Sequence, residues 1–259
     1  MEQFVSISDV DHYNNPPLIE AVFEFLAADP GEKQTNELVP LFQKEFPEFS
    51  EKPEYLVQAN IEIQFQQGGP TIAEPKNVIQ PRCRLRMPEN PNNNLMIQFD
   101  PEMCALNVLK PYHHFEVNYL PIIERLFNFF VSVVKPYNLR LTGQRYINYI
   151  SLPTGADPEK YFRFYPKFSP DFTGGQHPRF SMQVEHSHLP KDGSLLLSLN
   201  QDMEAPQNQL SFYLDIYARC DATIKADWNE LRAWHMEAHQ AIKQGFHSAI
   251  TDETKKLFV

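Results

Sequence analysis

Leu139-Arg140-Leu141-Thr142-Gly143-Gln144-Arg145-Tyr146-Ile147-Asn148-Tyr149-Ile150-Ser151-Leu152 is the stretch whose reading decides the fold. Side chains alternate across a strand, so the odd positions Leu139, Leu141, Gly143, Arg145, Ile147 and Tyr149 share one face. That face is apolar apart from Arg145, and the whole stretch reads as one long strand.

Upstream, Pro136 and Asn138 stop a helix over residues 119–134, where Tyr119, Ile122, Ile123, Leu126, Phe130, Val133 and Val134 recur at the helical period. Further back, Asn14-Asn15-Pro16-Pro17 blocks any helix and delivers an alternating strand over 18–25, with Glu20 and Glu24 on one face. Residues 35–46 carry Leu38, Leu41, Phe42 and Phe46 at helical spacing, which requires Pro40 to lie in the first turn. Stretches 55–66, 83–87, 95–99 and 104–108 are strands, separated by Gly68-Gly69-Pro70, Asn92-Asn93-Asn94 and Asp100-Pro101, and they read as an antiparallel meander.

Downstream, 158–164 reads as a short helix and 165–178, rich in proline and glycine, as a loop. Strands follow over 180–189, 195–200 and 210–220, the first two joined by Lys191-Asp192-Gly193, a hairpin signal. A helix over 228–250 closes the chain, with Asp227 and Glu230 spaced as a capping box.

The element string strand, helix, strands, long helix therefore occurs once before residue 139 and again from it. The expected fold is α+β, an antiparallel sheet or sheets covered by helices on one face, with an internal duplication dividing the chain into halves 1–138 and 139–259 or one compact domain. On that reading Glu20 and Arg145 occupy corresponding first strands. A charge buried on an apolar face needs a partner, so Arg145 is expected in a structural ion pair.

Composition bounds the function. Of 259 residues, 33 are acidic and 23 basic, a formal charge of -10 that weighs against general nucleic-acid binding. Arg82, Arg84 and Arg86 on one strand face are the local argument the other way. No signal-like segment opens the chain and no apolar run reaches the roughly 18 residues a membrane span needs, so a cytoplasmic protein with no membrane partner is expected. Cys83, Cys104 and Cys220 are widely spaced and read as reduced core thiols.

Phosphate-loop, dinucleotide and nucleophile-elbow motifs are absent. His235 and His239 fall on the apolar stripe of the last helix at a metal-compatible spacing, but Met236 stands where a zinc protease has Glu. Their plainer reading is two core-edge imidazoles, each hydrogen-bonded to a backbone or carboxylate group, against metal ligation or acid–base work. His186 and His188 share a strand face and form at most half a metal site. Tyr213, Asp215 and Tyr217 line one face of the strand over 210–220, either a binding surface or an ordinary half-exposed strand.

Three ordered motifs resemble those of a family of sporadically distributed bacterial proteins of about this length. Asn15-Pro16-Pro17-Leu18-Ile19-Glu20-Ala21-Val22-Phe23-Glu24 is similar to the family's Pro-Pro-Leu-x-Glu-Ala-x-x-Glu signature. Gly143 to Ile150 is similar to its central Arg-Tyr-Ile-Asn motif, and His239, Ile242, Phe246, Ile250 and Thr251 to its closing helix. The resemblance supplies no reaction. It implies Glu20, Arg145, Asn148 and His239 as the positions to test first, and mobile or defence-related gene neighbourhoods.

Without an assembled catalytic motif, the expectation is a non-catalytic bacterial cytoplasmic module. Its sheet face, or the groove between its halves, holds a partner protein or a small molecule, with a homodimer left open and no cofactor. The expected binding residues are Glu20, Arg145, Asn148, Tyr213, Asp215 and His239. The alternative is a metal-dependent hydrolase built on His235 with His239 or His186 with His188.

Overall fold

A computed structural model describes residues 13–29, 32–56, 63–66, 69–72, 81–88, 94–167, 169, 171, 180–202, 204–206 and 209–259. Its centre is an antiparallel pair of strands, β1 (Leu18–Ala27) and β8 (Asn138–Ser151). Beyond β1 lie β7 (Met103–Leu109), β6 (Asn94–Phe99), β5 (Arg82–Arg86) and β2 (Glu54–Leu56). Beyond β8 lie β11 (Ser211–Cys220), β10 (Gly193–Gln201) and β9 (Ser181–Leu189), while β12 (Ile224–Lys225) pairs with the start of β8. These ten strands form one antiparallel sheet, so the two halves share it. A separate hairpin joins β3 (Ile63–Gln66) to β4 (Gly69–Ile72), where the sequence reading placed a turn.

Each half lays its strands in one order. Counting outward from the centre, and leaving aside the two-residue β12, the first strand is followed by the last, and then by the two before it in reverse: β1, β7, β6, β5 and β8, β11, β10, β9. Each half then ends in a long helix, α2 (Leu120–Val134) or α3 (Trp228–Ala249). The β9–β10 hairpin turns through Lys191 and Asp192 at φ 59 and 58°, the left-handed pair that a tight primed turn requires.

The described helices lie on one face. α1 (Thr35–Glu45) is bounded by the Glu37 carboxylate, which accepts the Gln34 backbone N–H at 2.7 Å. Pro40 lies in its second turn, not its first. An interior proline costs about 3 kcal/mol, which burial of Leu38, Val39 and Phe42 at about 1.5–3 kcal/mol each offsets. Phe42 stacks on Phe99 of β6 at 3.8 Å, and Phe46, Phe49 and Phe129 complete an aromatic layer beside it.

A wide π turn, Phe115–Tyr119, leads into α2, giving a continuous helical stretch of 20 residues that is long and apolar enough to cross a membrane by length and composition, contrary to the sequence reading. Here its Leu120, Ile123, Leu126, Phe127, Phe130 and Val134 are buried, with Phe127 against Phe25 of β1. Asp227 caps α3 by accepting the Asn229 N–H at 2.9 Å, but no capping box closes because the Glu230 carboxylate pairs with Lys191. A last short helix, α4 (Asp252–Lys255), follows the Thr251 cap, and Phe258 then returns to the start of the described chain, its carbonyl accepting the Asn15 N–H.

Candidate functional site

β8 positions two polar regions, one on each face of the sheet. The register of β8 on β1 shifts between Leu141 and Leu139, so the alternation changes parity there. Leu139 is buried, yet from Thr142 onward the even positions Thr142, Gln144, Tyr146, Asn148 and Ile150 face the helices. The reading that put Arg145 on the core face is therefore corrected. Its side chain is 46% exposed, on the face away from the helices.

The helix side holds a buried hydrogen-bonded chain. His235, wholly buried on α3, has Nδ1 3.3 Å from Gln144 Oε1 and Nε2 3.3 Å from Thr142 Oγ1. An amide oxygen only accepts, so Nδ1 carries the proton and Nε2 accepts from the threonine hydroxyl. Gln144 Nε2 donates to Tyr146 Oη at 3.1 Å, and Tyr146 Oη lies 2.8 Å from His239 Nδ1 and 2.6 Å from Tyr112 Oη.

Burial pushes His235 down to about 3, and burial followed by the nearby Lys243 charge pushes His239 down to about 4. Both rings are neutral at pH 7, and the Tyr146 hydroxyl bridges Tyr112 and His239. Donation thus runs from His235 through Gln144 to Tyr146. The two histidines are the core-edge pair of the plainer reading, with one correction. Their partners are hydroxyl and amide side chains, not backbone or carboxylate groups.

The opposite face is lined by the odd positions. Arg145 Nε lies 2.9 Å from Asp215 Oδ1 and its Nη2 2.5 Å from Oδ2, a two-pronged pair in which Asp215 is 12% exposed. The ion pair expected for Arg145 exists, with Asp215 as partner, and the arginine pKa is raised, first by that bond. On β1, Glu20 Oε1 accepts from Asn107 Nδ2 at 2.6 Å, and Gln98 Nε2 in turn donates to Asn107 Oδ1 at 2.8 Å. Glu24 Oε1 accepts the Tyr217 hydroxyl at 2.6 Å. Burial and that carboxylate hold the Tyr217 phenol well above its ordinary range. Tyr213 packs tilted against Tyr149, ring centres 5.0 Å apart, and Tyr149 donates to Asp202 at 2.8 Å.

The structure thus gathers Glu20, Arg145, Tyr213 and Asp215 on the face that no described helix covers and leaves Asn148 and His239 on the other. Asn148 is buried and donates to the Leu214 carbonyl at 3.1 Å. Tyr112, Gln144 and Tyr146 on the helix side, and Asn107 on the open side, were not singled out by the sequence reading. The polar alternation Thr142-x-Gln144-x-Tyr146-x-Asn148 was the available signal.

Arg82 pairs with Asp100, and Arg84 and Arg86 with Glu54, so the basic row on β5 is met by the chain's own carboxylates. His186 is exposed on β9, and the His188 side chain lies outside the described residues, as does most of the 165–178 loop. Among the described residues no group of three or more His, Cys, Asp or Glu stands close enough to hold a metal ion. The three cysteines are buried, with Cys83 pushed up to about 11 by burial. Compared with family models and with curated proteins, the chain matches none of them.

Proposed function

We propose that this chain is a non-catalytic binding module, bacterial and cytoplasmic, which holds a partner protein or a small ligand on the helix-free face of its sheet. One observation carries the reading. Across β1, β8 and β11 the side chains of Glu20, Glu24, Arg145, Asp215 and Tyr217 are fixed by hydrogen bonds on a face that no described helix covers. Side chains already held in place lose little freedom on binding, and tyrosine and arginine are enriched where proteins meet. The histidines of α3 are instead neutral and engaged in the core, which favours a structural part for them. We also read the common strand order of the halves as an internal duplication with its boundary between residues 138 and 139. The family resemblance extends the proposal to a defence or toxin-neutralising operon.

Native mass spectrometry of the protein from its own host, as wild type and as Arg145→Ala/Tyr213→Ala, tests the reading. The expected result is a ligand, partner or second-copy mass on the wild type that the variant loses while keeping its melting midpoint. Retention by the variant, or a hydrolytic activity that disappears in His239→Ala, would overturn it.

A further inference from the structure

The helix-free face has an uneven charge balance. Its arginines are matched from within the chain: Arg84 and Arg86 by Glu54, Arg145 by Asp215, and Arg219 by Glu185 and Asp221. Among the described residues no lysine or arginine forms an ion pair with Glu20 or Glu24 on the central strand β1, although Arg145, paired to Asp215, also feels the Glu24 charge. The two glutamates are held by neutral donors, the Asn107 amide and the Tyr217 hydroxyl, which orient the carboxylates.

The register places them at two corners of a grid: Glu20, Ile147 and Asp215 form one row, Val22, Arg145 and Tyr217 the next, and Glu24, Gly143 and Arg219 the third. Gly143 matters to this arrangement. A Cβ there would meet the Tyr217 ring at 2.7 Å, its hydroxyl at 2.8 Å and Glu24 Oε1 at 3.0 Å, so the phenol and carboxylate lie down on bare backbone. Beside the grid stand Tyr213 and Tyr149, which offer flat amphipathic area.

We propose that the occupant of this face is a protein segment bearing arginine or lysine side chains, which seats its cations at Glu20 and Glu24 and packs on Tyr213. The inference rests on the binding reading above and narrows it. Complementary charge argues for the cation, because a positive group arriving here meets two oriented carboxylates and displaces no arginine already paired. The tyrosine row argues for a polypeptide rather than a bare ion, since aromatic side chains beside charged ones are what protein interfaces concentrate. A second copy is disfavoured, as each chain carries -10.

The test uses the full chain and a fluorescein-labelled peptide of alternating arginine and alanine, with the glutamate–alanine peptide as control, in about 50 mM salt, where screening is weak. Glu20→Gln/Glu24→Gln keeps the accepting oxygens and removes both charges. The result expected is binding of the arginine peptide alone, with Kd raised about tenfold or more in this variant and in Tyr213→Ala. It should rise less than about twofold in Glu116→Gln/Glu237→Gln, which removes two exposed charges from the helix layer.

Equal weakening in both glutamine pairs would mean that only the general acidity of the chain attracts the peptide, and would overturn the proposal. So would binding unaffected by the first pair, binding of the glutamate peptide, or no binding at all. A native partner retained by Glu20→Gln/Glu24→Gln but lost from Arg145→Ala/Tyr213→Ala would sink the basic partner and leave the binding module standing.

Discussion

Gly143 sits in the interior of β8, where glycine normally weakens a strand by about 0.5–1 kcal/mol relative to alanine. Alanine should nevertheless be worse here. Its Cβ would lie 2.7 Å from Tyr217 Cε2, and the ring cannot simply lift, because its hydroxyl is bonded to Glu24. Gly143→Ala is expected to destabilise the fold by about 1–3 kcal/mol, the usual cost of overpacking. The same substitution in a Tyr217→Ala background should cost much less, since its obstacle is gone. Urea unfolding of the four proteins of this cycle measures the difference. Equal costs in both backgrounds would show that backbone conformation, not the phenol, demands glycine.

α3 is joined to β8 by the chain of hydrogen bonds through His235 and His239, and this makes the element sensitive to acid. Unfolded histidine titrates near 6.5, whereas His235 is held down to about 3 and His239 to about 4. Each folded value lies below the unfolded one, so as pH falls the unfolded chain takes the proton first. The contribution is present in full above about 6.5 and is lost progressively below it, with a slope approaching about 1.4 kcal/mol per pH unit for each histidine. The tyrosines packed near the rings, Tyr112, Tyr119 and Tyr146, have raised pKa values and stay protonated over that window. Stability measured between about pH 7.5 and 4.5 should therefore fall more steeply for the wild type than for His235→Gln, which starts lower at pH 7.5. Parallel slopes would contradict the assignment of this acid sensitivity to α3.

The strands and both long helices were legible because their apolar periods are strong and prolines and turn residues bound them. The polar pairing of β8 with α3 was not. Period two shows that Thr142, Gln144, Tyr146 and Asn148 share a face, but their partners lie about 90 residues away, and one bulge decides which face turns inward. For the same reason the sequence alone places Arg145 on the apolar face, and only the β8–β11 register brings it to Asp215, 70 residues on.

At the scale of the molecule, β1 and β8 are each the innermost strand of their half and bond to one another along most of their length. Separation at residue 138 would expose both as long edges, with unpaired backbone groups and the apolar underside of Phe23, Phe25 and Tyr146. The aromatic core also crosses the boundary, through Phe25 against His235, Phe127 against Trp228 and Phe115 against His239. Four strands of each half follow a corresponding order, yet neither half carries its own closed core. The whole chain should then unfold in urea as a single cooperative transition, with α3 helicity and tryptophan fluorescence, both tryptophans being on α3, lost together. Residues 1–138 and 139–259 expressed apart should aggregate or stay unfolded, and should recover the sheet only when refolded together. Two resolved transitions, or a monomeric folded half, would mean that the repeat is one of independent domains that happen to share an edge.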